Sequence, residues 1–127
     1  MAYCVILAHP DPGSFNHALA RAACDALAGL GREVHCFDLY AEGFDPRLPA
    51  AELGRDAPLD DALARHCAAA AAAQGFVIVH PNWWGMPPAV LTGWVDRVIT
   101  RMTTIPIMPN IRRFHSAVLC PSFAPPG

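Results

Sequence analysis

Three short apolar runs, spaced by segments of helical periodicity, govern what this chain can fold into. The first, Tyr3 to Ala8, and the third, Phe76 to Val79 with His80 at its end, are apolar at almost every position. That pattern suits strands covered on both faces. Between them, Val34, Cys36 and Phe37 mark a second strand from Val34 to Leu39, which Asp38 brings towards its end. The segment Ser14 to Leu30 places Phe15, Leu19, Ala22, Ala23, Ala26, Leu27 and Leu30 at helical spacing, with Ser14 as N-cap and Gly31 as the stop. A second helix is predicted from about Asp60 to Gln74, bracketed by Pro58 and Gly75, and a third from about Pro88 to Thr100, burying Val90, Leu91, Trp94, Val95 and Val98. Strands alternating with helices at this rhythm give an α/β fold with an open, doubly wound parallel sheet.

The chain has 127 residues, enough for one domain over 1–127. Its net charge of -2 offers no basic patch, so nucleic acid is not an expected partner. No apolar run approaches the ~20 residues of a membrane span, and the start, MAYCVILAHP, lacks the basic segment and cleavage site of a secretory signal. A cytoplasmic chain without membrane insertion is therefore expected. The five cysteines are scattered without paired spacing, which predicts buried reduced thiols rather than disulfides or a zinc site. Residues 101–127 differ from the rest: they hold three arginines, five prolines and no acidic residue, and only Ala117 to Cys120 reads as a strand. The sheet is thus expected to be incomplete at the carboxyl terminus.

One turn departs from the small, polar type. HPNWWGMPPAVL, His80 to Leu91, follows the third strand with two tryptophans, a glycine and two prolines, the prolines suited to the opening of a helix. Flat side chains at the carboxyl end of a buried strand suit a planar ligand. In a doubly wound sheet, ligands bind beyond the strands' carboxyl ends where the winding reverses. With strand one central, that point lies between strands one and three. The tryptophan turn should therefore meet the loop His9 to Asn16, HPDPGSFN. Amides near Gly13, Ser14, Phe15 and Asn16 open a helix there and favour an anion, and His9, Ser14 and Asn16 can add hydrogen bonds. Neither GxGxxG nor a P-loop lysine is present.

Plainer readings stand beside these. His9 can bond neighbouring backbone; Trp83 and Trp84 can cap the core. Trp94 lies at core spacing. Asp96 and Arg97 read as a solvated or intersubunit pair. His17, His35, His66 and His115 show no metal-ligand spacing and read as surface or packing residues, so no metal ligand is assigned. Asp38 follows strand two as a ribose-binding acid would, but without the glycine fingerprint a loop role is favoured.

These segments resemble the flavodoxin-like NAD(P)H:quinone oxidoreductases, a family that includes mammalian quinone reductases, bacterial modulators of drug activity and ancillary reductases of potassium efflux systems. The likeness rests on AHPDPGSFNHAL (Ala8 to Leu19), DLYAEGFDP (Asp38 to Pro46), FVIVHPNWWGMPPAVL (Phe76 to Leu91) and GWVDRV (Gly93 to Val98), within about residues 3–100. It is greatest for the small bacterial members. The resemblance implies a flavodoxin-like sheet of order 2-1-3-4(-5) and a flavin, FMN or FAD, as cofactor. It also implies NAD(P)H as hydride donor, a quinone-like acceptor, a ping-pong cycle and a homodimer with the site at the interface. By the same resemblance His9, Ser14, Phe15 and Asn16 hold the flavin phosphate or pyrophosphate. Pro81, Asn82, Trp83, Trp84 and Gly85 lie along the flavin ring, with the Trp84 indole at its border.

After DRV the chain departs from the family, since PSFAPPG stands where a glycine-rich turn would close over the flavin, and the tyrosine and histidine near the hydride have no counterpart. No catalytic residue is therefore assigned. The alternatives are an inactive fragment of the family, a regulatory subunit peripheral to a potassium efflux transporter, and a zinc-dependent N-deacetylase, whose AHPD motif is present but lacks a second acidic residue and a later paired-histidine site.

Overall fold

The computed structural model describes residues 1–54 and 56–103. Strand β1, Ala2–Leu7, sits between β2, Glu33–Asp38, and β3, Ala73–Val79, all parallel, in the order 2-1-3 expected from the sequence. The register runs from Ala2 opposite Glu33 to Leu7 opposite Asp38 on one side, and to Val79 on the other. The strand expected at Ala117 to Cys120, like His115, lies outside the described residues.

Helices cover both faces. Helix α1, Phe15–Gly29, packs Leu19, Ala20, Ala23 and Leu27 on Val5, Leu7, Val77 and Val79. Helix α2, Asp61–Ala72, and helix α3, Ala89–Trp94, cover the opposite face with Leu63, Ala70, Leu91 and Trp94 around Cys4, Ile6, Phe37 and Phe76. Ser14 and Asp60 are the N-caps, each accepting from the amide three residues on. Gly31, at φ +70°, ends the first helical segment in a conformation that glycine adopts without strain.

Several expectations need correction. Phe15 and Leu30 do not join the core; they are 62% and 73% exposed, because the inward stripe of α1 follows Asn16 and Ala20 instead. Helix α2 stops at Ala72 rather than Gln74, since Ala73 already pairs with Ala2. The register shifts there, and the Tyr3 ring lies against Gly75, where a Cβ would crowd it. The third helix widens into a π-turn over Val95–Ile99 and closes with α4, Thr100–Thr103. That widening leaves Val95 partly exposed and carries Arg97 inward.

Arg97 is therefore no solvated pair. Its guanidinium grips Glu52 with two bonds, of 2.6 and 3.1 Å, donates to the Asp45 carbonyl at 2.8 Å and lies over the Phe44 ring. One side chain thus fastens the long loop after β2 to the third helix. The same loop needs Gly93, where a Cβ would fall on the Cα and carbonyl oxygen of Pro46.

The cysteines also differ from expectation. Cys24 on α1 and Cys36 on β2 form a disulfide. Packing of α1 across β2 puts the two residues face to face, a pairing that spacing alone cannot reveal. Cys4 and Cys67 are free, and burial pushes the Cys4 thiol up to about 11, which leaves it an inert core group.

Beneath the loop, His66 is fully buried and stacked on Phe37 with ring centroids 4.0 Å apart. Its Nδ1 accepts from the Trp94 indole N–H at 3.0 Å, so Nε2 carries the hydrogen that goes to Glu42 at 2.7 Å. Burial pushes the imidazole below its ordinary range, against the opposing pull of Glu42.

Two predictions follow from the packing. Gly93→Ala should cost about 1–3 kcal/mol in urea unfolding by overpacking against backbone. Gly29→Ala, at the end of α1 with open space around it, should gain roughly 0.5–1 kcal/mol. Equal effects would refute the close approach of Pro46.

For His66, the folded state keeps a neutral ring that the unfolded chain protonates below about pH 6.5. Stability supplied by this residue is therefore present above that pH and lost as pH falls through it, by on the order of 1 kcal/mol per pH unit. His66→Gln should be less stable at pH 7 yet show a flatter stability profile between pH 7 and 5. An unchanged slope would contradict the neutral assignment.

Candidate functional site

Parallel pairing of β1 with β3 brings the two unusual loops out at the same edge of the sheet. Leu7 lies opposite Val79, and the Ala8 amide donates to the Val79 carbonyl at 3.0 Å. Immediately beyond, the rings of His9 and Trp83 meet edge to face with centroids 6.1 Å apart. The phosphate-type loop and the tryptophan turn therefore converge, as the position of the winding reversal requires.

The first loop is tied by its own side chains. The Asp11 amide donates to His9 Nδ1 at 3.0 Å, the Gly13 amide to Asp11 Oδ1 at 2.9 Å, and the Ser14 amide to the Asp11 carbonyl at 3.0 Å. Two consequences follow. The Gly13 and Ser14 amides, expected as anion donors, are already spent within the loop. The amides of Phe15 and Asn16 remain, at the helix opening where no intrahelical acceptor exists. His9 accepts at Nδ1, so its hydrogen sits on Nε2, a donor still available to a ligand. Both sequence readings of this histidine hold together: one nitrogen serves the backbone and the other is left over.

Asn16 carries a further sign. It is 5% exposed, and its side-chain oxygen is buried without a hydrogen-bond partner. A buried amide left unpaired costs free energy. The other end of the same amide, its NH2, is not buried in this way and is a donor suited to an anion. His9, the two free amides and Asn16 thus form a donor set that fits a phosphate group.

The second loop is a tight hairpin. Trp83 and Met86 exchange backbone hydrogen bonds at 3.0 and 2.9 Å, and the central residues, Trp84 and Gly85, lie at φ +56° and +76°. Positive φ at both central positions belongs to a type I′ turn, which favours Asn-Gly. Here a tryptophan occupies the first position. Its indole is fully exposed, Trp83 and Met86 are 40% and 63% exposed, and Asn82 and Gly85 are also open to solvent. Pro81 is buried, and its carbonyl accepts from His80 Nδ1 at 2.8 Å. The tryptophans do not cap the core, in contrast to Trp94.

Sequence reasoning missed one residue. His17, read as a surface or packing histidine, joins Ser14 Oγ through Nδ1 and Asp38 Oδ2 through Nε2, both at 2.9 Å, and stands edge to face with His9. Asp38 also accepts the Ala41 amide, which is the loop role expected of it. The i, i+3 spacing of Ser14 and His17 across a helix start was the available signal. Asp38 could be added only once β2 was paired with β1.

Among the described residues no three His, Cys, Asp or Glu side chains gather as a metal site, and none of the helices is long and apolar enough to cross a membrane. His9 and Asp11, the pair that a deacetylase reading would need, are engaged within their own loop.

Comparison with known proteins supports the fold. A family model described as a flavodoxin-like fold matches residues 1–113. A ribosyldihydronicotinamide dehydrogenase-like protein, traD, of Penicillium crustosum is 36% identical over 79% of this chain and 44% of its own length. NAD(P)H dehydrogenase (quinone) 1 of Cavia porcellus is 32% identical over 76% and 42%. The chain thus spans less than half the length of these two curated relatives. Among solved structures, an NAD(P)H:quinone oxidoreductase from Methanothermobacter marburgensis superposes with a TM-score of 0.68 at 28% identity, covering 77% of this chain and 52% of that one.

The hairpin yields its own prediction. A non-glycine residue in the left-handed region costs roughly 1–2 kcal/mol, a cost that asparagine tolerates best. Trp84→Asn should therefore raise the stability of the folded chain by about 1 kcal/mol in urea unfolding. A loss of stability would show that the indole packs after all.

Proposed function

The chain belongs to the family of flavodoxin-like fold, and from that premise we propose that it is a flavin-dependent NAD(P)H oxidoreductase acting on quinones or similar two-electron acceptors. The observation that carries this reading is the juxtaposition of an anion-type donor set with an exposed aromatic hairpin at the winding reversal, linked by the His9–Trp83 contact. The two relatives named above are described as a ribosyldihydronicotinamide dehydrogenase-like protein and an NAD(P)H dehydrogenase (quinone), and the matching structure as an NAD(P)H:quinone oxidoreductase.

In this reading His9 Nε2–H, the Phe15 and Asn16 amides, the Asn16 side chain and Ser14 hold the flavin phosphate of FMN or FAD. The positive end of α1 supports that charge. Pro81, Asn82, Trp83, Trp84 and Gly85 border the ring, and the left-handed backbone at Trp84 keeps its indole out of the core and available to a flat ligand. A bound flavin supplies the redox chemistry, accepting hydride from NAD(P)H and passing it to the acceptor. The chain's own part is to fix the cofactor's charged end and offer its ring an apolar border.

A homodimer is proposed as the acting unit, because Phe15, Trp84, Met86 and Val95 leave exposed apolar surface that a second copy would cover. The cytoplasm is the proposed location, a compartment in which a disulfide such as Cys24–Cys36 is uncommon. A regulatory subunit or an inactive fragment would show no turnover, so activity separates those roles from the proposed one.

The test is reconstitution with FMN and FAD, followed by measurement of bound yellow chromophore and of quinone-dependent NADPH oxidation. Wild type should retain flavin and turn over. Trp84→Asn, although more stable, should bind flavin about 5–10-fold more weakly, as expected for loss of an aromatic contact worth about 1–1.5 kcal/mol. Unaltered retention would remove Trp84 from the site, and no flavin binding by wild type would overturn the proposed function.

A further inference from the structure

Ser14, His17 and Asp38 form a hydrogen-bonded chain that runs from the helix opening to the end of β2. Its proton positions follow from counting donors and acceptors. A carboxylate at Asp38 only accepts, so His17 Nε2 carries a hydrogen. In the neutral ring Nδ1 is then an acceptor, and the Ser14 hydroxyl must donate to it. The Ser14 oxygen also accepts the His17 amide as helix cap, at 3.3 Å. What remains for a ligand at Ser14 is a lone pair, which repels a phosphate oxygen.

Protonation of His17 reverses the last link. Nδ1–H donates to the Ser14 oxygen, whose two lone pairs are now filled by the ring and the amide. The hydroxyl hydrogen is released toward the cradle. An imidazolium then stands between the phosphate site and the Asp38 carboxylate.

We propose that His17 is a positioning residue whose protonation turns Ser14 from acceptor to donor, so that capture of a flavin phosphate takes up a proton. This rests on the reading of the α1 opening as the flavin phosphate site. The order Ser–His–Asp is that of a hydrolase relay. Here, however, the serine oxygen is held as a helix cap, and the chain orients a hydroxyl rather than activating a nucleophile.

The titratable groups that meet His17 are Asp38 on β2 and His9 in the loop after β1; Asp11 lies in that same loop and Arg21 one turn along α1. His9 is the rival proton acceptor, with its ring centroid 6.3 Å away. Its Nδ1 accepts the Asp11 amide, so it already donates from Nε2 and gains no reversal of polarity on protonation.

The experiment is isothermal titration calorimetry of FAD, FMN and riboflavin into the full chain between pH 7 and 8, in buffers of different ionisation enthalpy. FAD is the deciding probe because its pyrophosphate does not titrate in this range. Where FAD fails to bind and FMN binds, FMN at pH 8, with its phosphate ionised, decides. Wild type should take up a fraction of a proton with the phosphorylated flavins and none with riboflavin. Its FAD affinity should weaken as pH rises, by up to about tenfold per pH unit.

His17→Asn should bind FAD without proton uptake and with a flat pH profile, and Asp38→Asn should reduce the uptake. His9→Asn should bind more weakly yet keep the uptake. FAD binding by wild type without uptake, or uptake lost in His9→Asn but kept in His17→Asn, overturns the inference while leaving the flavin site standing. Failure of wild type to bind either phosphorylated flavin overturns the proposed function and this inference with it.

Discussion

Pairing of β1 on both edges is the constraint from which the site follows. Cys4 to Ala8 are buried, and backbone buried on both faces must find its hydrogen bonds along the ladder. With β2 on one side and β3 on the other, all parallel, every strand must leave the sheet at the same end. The first crossover then covers one face and the second covers the other. The loops after β1 and β3 are left facing each other with no helix between them. Nothing in either loop has to be specialised for them to meet; their meeting is a property of the strand order.

What is specialised is the number of local rules broken there. A tryptophan takes a left-handed position that suits asparagine, and its indole is left in solvent. A buried asparagine oxygen has no partner, and a phenylalanine opens α1 facing outward. Each departure costs the free chain stability, and elsewhere the structure keeps its caps, glycines and ion pairs in order. Departures of this kind, gathered where two loops converge, are where a ligand site is to be sought.

Much of this was legible in the sequence. The strands, Ser14 as cap, Gly31 as stop and the convergence of His9 with the tryptophan turn came from apolar runs and turn chemistry. What escaped depends on contacts between distant segments. Arg97 reads as a surface residue until the π-turn and the loop carrying Asp45 and Glu52 are both in place. The bond from Cys24 to Cys36 needs α1 laid across β2. Phe15 follows the periodicity of a core residue, and only the phase of the packed helix shows that Asn16 and Ala20 face inward. Periodicity locates a helix well, but its rotation about its own axis is set by the sheet.

Two histidines show how alike wiring can have opposite consequences. His66 and His17 each donate from Nε2 to a carboxylate brought in by β2 or the loop after it, and each has Nδ1 bonded to a second side chain. The difference lies in that second partner. An indole N–H can only donate, so a proton on His66 Nδ1 would set two donors against each other in a fully buried place. The Trp94–His66–Glu42 chain therefore has one proton arrangement and acts as a rivet under the loop. A serine hydroxyl can donate or accept, so the Ser14–His17–Asp38 chain has two complete arrangements, and the second costs only the proton that makes it. Asp38 itself is held by the ladder, opposite Leu7 at the end of β2. The carboxylate anchors are shared in kind; the choice of tryptophan or serine at the far nitrogen decides which chain admits one proton arrangement and which admits two.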